Sequence, residues 1–324
     1  MNDLSAPSVS VILPILNEES DLENCITAIL QQDYDGELEV ILALGPSKDS
    51  TDLIAQKIAA KDKRVKLVKN PTGLTAAGLN LAIKASSFEI ICRIDGHAEI
   101  SKTYIKSAVS IMRDTGAVNV GGIMFADSDQ GLQRTVAQAM RSKLGVGPSK
   151  FHTGGGAGES ETVYLGTFKK SAILAAGGFD ERFIRAQDWE LNYRIRKQGG
   201  LIWFDPRLVV TYRPRKTFSK LARQYFQYGR WRRVITRTHS NTSSLRYLAP
   251  PFAVVVNLFS LVSGVFVTPL LLLPLMVYIF TMVIGGFLIG RKITDKLLMP
   301  LVLATMHMSW GLGFITSPKN LLKG

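Results

Sequence analysis

From Tyr247 to Gly290 no side chain is charged, a run about twice the ~20 apolar residues that cross a bilayer as helix. In lipid such a run can satisfy its backbone only internally, which makes it helical. Pro269 stands near its middle and marks a turn, dividing the run into helices over 248–267 and 270–289. A third apolar stretch, 297–316, follows a short polar link. The other reading of apolar length is a helix pair buried in a protein core.

The net charge of +13 is as uneven as the hydropathy. Eleven Lys or Arg stand between Arg207 and Arg246, and no Asp or Glu occurs between Asp205 and Asp295. Basic residues beside apolar spans are retained on the cytoplasmic side and attract anionic headgroups. Arg291, Lys292 and Lys296 fall on that same side if the first two spans form a hairpin. The basic block carries none of the named nucleic-acid-binding motifs, so nucleic acid is not the expected partner. Residues 1–8 lack the basic start and apolar run of a signal peptide, which leaves the polar part in the cytoplasm. Cys25 and Cys92 lack metal-site spacing and read as packing residues.

The first half alternates short β-rich runs with helical patterns. A strand over 9–14 precedes a helix with Leu22, Cys25, Ile26, Ile29 and Leu30 on one face. A strand over 39–44 precedes a helix over 50–60 with Leu53, Ile54 and Ile58 inward. A strand over 65–69, a helix over 74–85 and a strand over 89–94 follow. This repetition predicts an α/β fold, a mostly parallel sheet covered by helices, with ligands bound beyond the carboxyl ends of the strands. That rule selects Asn17 and Glu18, the loop 45–52, and Asp95 to His97. A dehydrogenase-type glycine turn is excluded, because Pro14-Ile-Leu-Asn-Glu-Glu19 follows the first strand. Gly154-Gly-Gly-Ala-Gly158 leads into Glu159-Ser-Glu161, charge unsuited to phosphate, and reads as a mobile loop.

Three constellations carry chemistry. Asp95-Gly96-His97 sets a carboxylate and an imidazole two residues apart across a glycine, so both can address one divalent cation on a diphosphate; alone, the same tripeptide is an ordinary strand-ending turn. Gln187-Asp188-Trp189-Glu190 opens a helix after Gly177-Gly-Phe-Asp180. Asp188 is the candidate general base beside an aromatic platform, with Glu190 in reserve, and a plain helix cap is the alternative. Gln227-Tyr-Gly-Arg-Trp231 offers Arg230, with Arg232 and Arg233, to a diphosphate and Trp231 to a sugar or base, or else forms an interfacial helix.

These stretches resemble the family 2 glycosyltransferases with the type A nucleotide-sugar fold, over roughly 8–237. The matching segments are Val9-Ser-Val-Ile-Leu-Pro-Ile-Leu-Asn-Glu-Glu19, Asp49-Ser-Thr-Asp52, the turn at Asp95, Gly177-Gly-Phe-Asp-Glu181 and Asp188. Arg93-Ile-Asp-Gly-His97, Arg185-Ala-Gln-Asp-Trp-Glu190 and the apolar C-terminus look most like the succinoglycan and exopolysaccharide glucosyltransferase branch. The resemblance implies an inverting transfer of a sugar from a nucleotide donor, a UDP-sugar first, to a lipid-linked glycan. It implies that Pro14, Asn17, Glu18 and Asp95 bind the nucleotide sugar and that Asp95 and His97 hold Mn or Mg. It further implies that Asp188 is the base and that Trp189, Glu190, Gln227, Arg230 and Trp231 serve the acceptor or diphosphate. Two departures bear on base recognition and on the metal. Leu44-Gly45-Pro46-Ser47 replaces the usual acidic pair, and His97 takes the place of the motif's second Asp. Gln227 to Trp231 resembles the acceptor-side motif of processive synthases, which carry spans before the catalytic domain, so transfer of a single sugar is favoured here. The expected division is a cytoplasmic catalytic domain over 1–240, its basic segment at 207–240, and a membrane domain over 241–324. A processive synthase and a non-catalytic sugar-nucleotide-binding module are the alternatives.

Overall fold

The computed structural model describes residues 6–239 and 241–322; most of the segment 1–8 and the expected boundary at residue 240 lie outside them. Nine strands form one sheet: β1 (Val9–Ile15), β2 (Leu38–Leu44), β3 (Val65–Lys69), β4 (Ile90–Arg93), β5 (Glu99–Ile100), β6 (Asn119–Ala126), β7 (Gly158–Glu159), β8 (Tyr164–Lys169) and β9 (Ile202–Tyr212). Their order is β3-β2-β1-β4-β8-β6-β9-β5, with β7 also on β9. The half read from the sequence, β3-β2-β1-β4, is parallel. The rest is antiparallel where β8 meets β4 and β6, and where β5 and β7 meet β9.

β1 and β2 are buried on both faces, which is why they read as near-continuous apolar runs, while the edge strand β3 is largely exposed. Helices Leu22–Leu30, Thr51–Lys61 and Thr75–Ala85 connect them. The helix Leu22–Leu30 buries Leu22, Cys25, Ile26 and Ile29 as its spacing predicts, and both cysteines are free and buried. In Thr51–Lys61, Ile54 and Ile58 pack against the core as expected, with Thr51 and Ala55 buried beside them, but Leu53 is 60% exposed. Thr51 Oγ1 accepts from Glu18 N at 2.8 Å and donates to Asp49 at 2.6 Å, so a polar residue holds the start of the helix at the strand-end loops.

The chain divides into two compact units interleaved in sequence, Met1–Phe125 with Gly154–Tyr212, and Ala126–Thr153 with Arg213–Gly324. The first holds the sheet. The second holds the helix Gly131–Met140, the basic helix Phe218–Thr238 and three further helices, Leu245–Phe266, Pro269–Ile289 and Ile293–Ile315, each long and apolar enough to cross a membrane. At the expected turn, Thr268 is extended and Pro269 opens the next helix, where its missing N–H costs nothing.

Within the second unit Asp295, fully buried, is the convergence of a polar network. Its carboxylate accepts from Arg134 Nε at 3.0 and 3.1 Å, Arg134 Nη2 at 2.9 Å, Thr135 Oγ1 at 3.0 Å, Gln138 Nε2 at 3.0 Å and the Lys292 backbone at 3.1 Å. The lone acid of the long basic and apolar stretch is thus fully satisfied.

Candidate active site

Of the candidate residues, Pro14, Asn17, Glu18, Asp95 and His97 arise where the parallel strands β1 and β4 end. β1 pairs with β4 only through Ile12, whose carbonyl accepts from Ile94 N at 3.1 Å. Two residues on, Pro14 faces the same side, where β4 has already ended, so its missing N–H falls on an open edge while its other neighbour Ala43 keeps the register. Asn17 follows at φ 55°, a left-handed conformation that Asn tolerates. It is clamped to the loop after β2: its N–H donates to Ser47 Oγ at 3.1 Å and its side-chain oxygen accepts from Lys48 N at 2.8 Å. Glu19 accepts from Ser50 N at 2.9 Å, and Asp49 accepts from Thr51 N at 3.1 Å. The motif Asp49-Ser-Thr-Asp52 is therefore a brace between two strand-end loops, preorganising the edge before any ligand arrives.

The turn after β4 sits against that brace. A Cβ on Gly96 would lie 2.8 Å from Ile15 Cδ1 and 3.1 Å from Glu18 Cγ, so any larger residue would have to push these side chains aside. His97 Nδ1 is 2.9 Å from Glu18 Oε1, and this bond holds the imidazole pKa above its ordinary value. With Nδ1 on the carboxylate, Nε2 is the ring nitrogen turned away from Glu18. Asp95 Oδ1 lies 3.0 Å from Arg93 Nη2.

Arg93 is the residue whose role the motifs did not reveal. It ends an apolar strand yet is 4% exposed, and its guanidinium pairs with Asp95 through Nη2 and with Asp188 through Nη1. Burial works against its charge, but the two carboxylates more than offset this and its pKa stands above the usual guanidinium value. Its Nε has no hydrogen-bond partner among the described residues. The available signal was a charged side chain inside Ile-Ile-Cys-Arg-Ile, which must be paired.

Asp188 lies in the first turn of the helix Gln187–Lys197, after Ala186 at φ 61°. Desolvation pushes its pKa up and Asp95 adds to this, while Arg93 pulls it down. The helix is fixed from behind. Arg194 binds Glu190 at 2.8 and 2.6 Å, the Gly178 carbonyl at 2.8 Å and the Ala176 carbonyl. Asn80 clamps Phe179 through its N–H at 2.9 Å and its carbonyl at 2.8 Å. Gly177 and Gly178, at φ 85° and 75°, permit the turn that brings these groups together. Glu190, 2% exposed and ion-paired, is thus a strut of the helix, and Trp189 stacks on Tyr193 at 5.6 Å.

Gln227, Arg230 and Trp231 belong to the second unit, on the helix Phe218–Thr238. Gln227 is half-buried, Arg230 lies over the Phe226 ring at 5.8 Å, and Trp231 is 3% exposed, its ring a packing surface. Arg232, read as a diphosphate ligand, lies over the Tyr247 ring at 3.3 Å and donates to the Thr242 carbonyl at 2.7 Å.

No group of three or more His, Cys, Asp and Glu side chains converges on a metal position among the described residues. Asp95 and His97 Nε2 give two donors. That set suits a hard divalent cation that reserves its other positions for substrate oxygens and water, so the residues fit the expected ion.

A family model described as Glycosyl transferase family 2 matches residues 10–173. Succinoglycan biosynthesis protein ExoA of Rhizobium meliloti is 30% identical, covering 97% of this chain and 96% of that one. A Methanococcus voltae protein, dolichyl N-acetyl-alpha-D-glucosaminyl phosphate 3-beta-D-2,3-diacetamido-2,3-dideoxy-beta-D-glucuronosyltransferase, is 25% identical over 98% of each. Among solved structures, mannosyltransferase PcManGT from Pyrobaculum calidifontis in complex with GDP-Man and Mn2+ aligns with a TM-score of 0.61 at 18% identity, covering 97% of this chain and 88% of that one.

Proposed function

Since the chain belongs to glycosyl transferase family 2 and is a glycosyltransferase of the type A fold, we propose that it moves one sugar, with inversion, from a nucleotide sugar to a lipid-linked glycan. The observation that carries this reading is the pairing of one buried guanidinium, Arg93, with both Asp95 and Asp188. It ties a carboxylate suited to the donor's diphosphate to a carboxylate suited to the acceptor, both at the carboxyl edge of the parallel strands.

Asp188 accepts the proton of the acceptor hydroxyl as that oxygen bonds to the anomeric carbon, and the bond from that carbon to the nucleoside diphosphate breaks. A base whose pKa is raised by desolvation is stronger than an ordinary aspartate, and Arg93 keeps it ionised. Asp95 and His97 Nε2 would hold Mn or Mg, which supplies neutralising charge to the departing diphosphate. Glu18 fixes the His97 ring; Pro14 and Asn17 line the edge on which the nucleoside rests.

The acceptor reading rests on the company this chain keeps: its relatives build succinoglycan or modify a dolichyl-linked sugar. Three apolar helices and the basic stretch before them support a membrane site, with the catalytic unit on the cytoplasmic face where nucleotide sugars are made. UDP-sugars are the first donors to try, since neither base nor sugar is dictated by the braced loops.

The test incubates detergent-solubilised protein with a panel of nucleotide sugars, with and without Mn or Mg, and membrane lipid extract as acceptor. Nucleoside diphosphate release from one donor, metal-dependent and lost in Asp95→Ala and Asp188→Asn, is the expected result. Chains of several sugars on one acceptor would instead identify a processive synthase, and no release from any donor a binding module.

A further inference from the structure

Two segments of the second unit meet although neither holds an acid: no Asp or Glu stands between Asp129 and Glu159, and none between Asp205 and Asp295. Where they meet, positive charge gathers on one tyrosine. Arg232 Cζ lies 3.3 Å and Arg246 Cζ 4.5 Å from the centre of the Tyr247 ring. Arg232 is 7% exposed and donates to the Thr242 carbonyl at 2.7 Å. Arg246 is half-buried and donates to the Pro148 carbonyl at 3.2 Å and to the Tyr247 hydroxyl. Two guanidiniums this close repel each other, and one phosphate group can accept hydrogen bonds from both.

The segment that lies against Arg246 brings unmet hydrogen-bonding groups to the same place. Gly147, at φ 70°, turns the chain there, and a Cβ on it would lie 3.9 Å from Arg246 Cβ. Two residues on, Ser149 is 4% exposed, and its Oγ has no hydrogen-bond partner among the described residues. The same holds for the buried Nδ1 of His152. Burial, with the Arg246 charge adding to it, pushes the His152 pKa down to about 3. The ring is therefore neutral and still donates from one nitrogen. Buried polar atoms are nearly always paired, so two left open beside two guanidiniums mark a place for the oxygens of an anion.

We propose that Ser149, His152, Arg232 and Arg246 form a lipid-phosphate site, which holds the phosphate or diphosphate joining the acceptor glycan to its apolar chain. This rests on the lipid-linked acceptor proposed above and gives the acceptor's charged group a place on the protein. The position of Arg246 selects a phosphate with an apolar tail. It stands in the first turn of the helix Leu245–Phe266, and the charge-free run begins at the next residue. A phosphate held there lies at headgroup depth, and its chain runs beside the apolar helix.

The experiment uses the full chain in an uncharged detergent, with farnesyl diphosphate as the probe, titrated calorimetrically beside the nucleotide-sugar donor. The unsubstituted protein should bind the probe, and Arg246→Gln should weaken it by about tenfold or more while donor binding stays unchanged. Ser149→Ala removes a buried hydroxyl that has no partner among the described residues, so it should keep or raise the thermal midpoint. It should nevertheless weaken the probe by about threefold, a change opposite in sign to that of the fold. Unchanged probe affinity in both variants would overturn the proposal, as would an unsubstituted protein that binds donor but not probe. Inorganic pyrophosphate bound as tightly as the probe would overturn the assignment to a lipid. Phosphatidylglycerol displacing the probe at equal mole fraction would make the site a headgroup anchor and overturn its assignment to the acceptor. Sugar transfer to a lipid-free oligosaccharide, unaffected by Arg246→Gln, would remove the acceptor reading itself.

Discussion

Two arginine–aspartate clusters, one in each unit, differ in how completely they are satisfied. Around Asp295 both carboxylate oxygens receive several donors from Arg134, Thr135, Gln138 and the Lys292 backbone, all from its own unit. Around Arg93 the pairing is incomplete: its Nε has no partner among the described residues, and one guanidinium is shared between two acids. A closed network holds structure in place. An open one keeps acceptor and donor capacity for a ligand, at some cost in stability, and that contrast separates a fastening from a site.

The contrast can be broken by substitution. Asp188→Asn should lower turnover by on the order of 10²–10⁴ with little change in donor binding, measured by product formation and by calorimetric titration of the donor. Retained turnover would move the base elsewhere. Glu18→Gln loosens the His97 ring and should weaken the metal requirement by about 10–100-fold, read as the Mn or Mg concentration for half-maximal activity. Asp295→Ala should do the reverse of both: a fall of at least about 5 °C in thermal midpoint in detergent, with activity per folded molecule nearly unchanged. Equal damage to turnover would mean that the two clusters do not divide the work in this way.

The smallest effect is on pH. Asp188 must be ionised to act, so activity is lost as pH falls through its pKa, which desolvation raises above 3.8 and Arg93 lowers again. Arg93→Met removes the lowering influence, so the acid limb of kcat/KM should move to higher pH in addition to any loss of rate. A limb that stays in place would show that Arg93 positions Asp188 without tuning it.

The parallel half of the sheet was legible because each of its strands is a local apolar run bounded by a helix of clear period. The antiparallel half was not. β5 and β7 are two residues long, and β6, β8 and β9 take their partners by tertiary register rather than by neighbouring sequence. Leu53 shows the same limit in a helix: Ile54 and Ile58 pack inward as apolar spacing gives, yet Leu53, assigned to the same face, is exposed. At the site, Asp95, His97 and Asp188 were visible as motif members at strand and helix ends. Arg93 was not visible in its role, because its partner Asp188 is 95 residues away and the pairing exists only once the sheet has formed.

The interleaving of the two units sets an order on the making of the protein. Arg134 leaves the ribosome 161 residues before its partner Asp295, a wait of roughly 10–30 s at ordinary rates of synthesis. During that interval the face of the helix Gly131–Met140 that Ile293–Ile315 will cover stays exposed to water, while the first unit can already close with β9. A chain stopped before residue 290 would hold every residue of the candidate active site and still leave that helix uncovered, so truncating the apolar end is a poor route to a soluble enzyme.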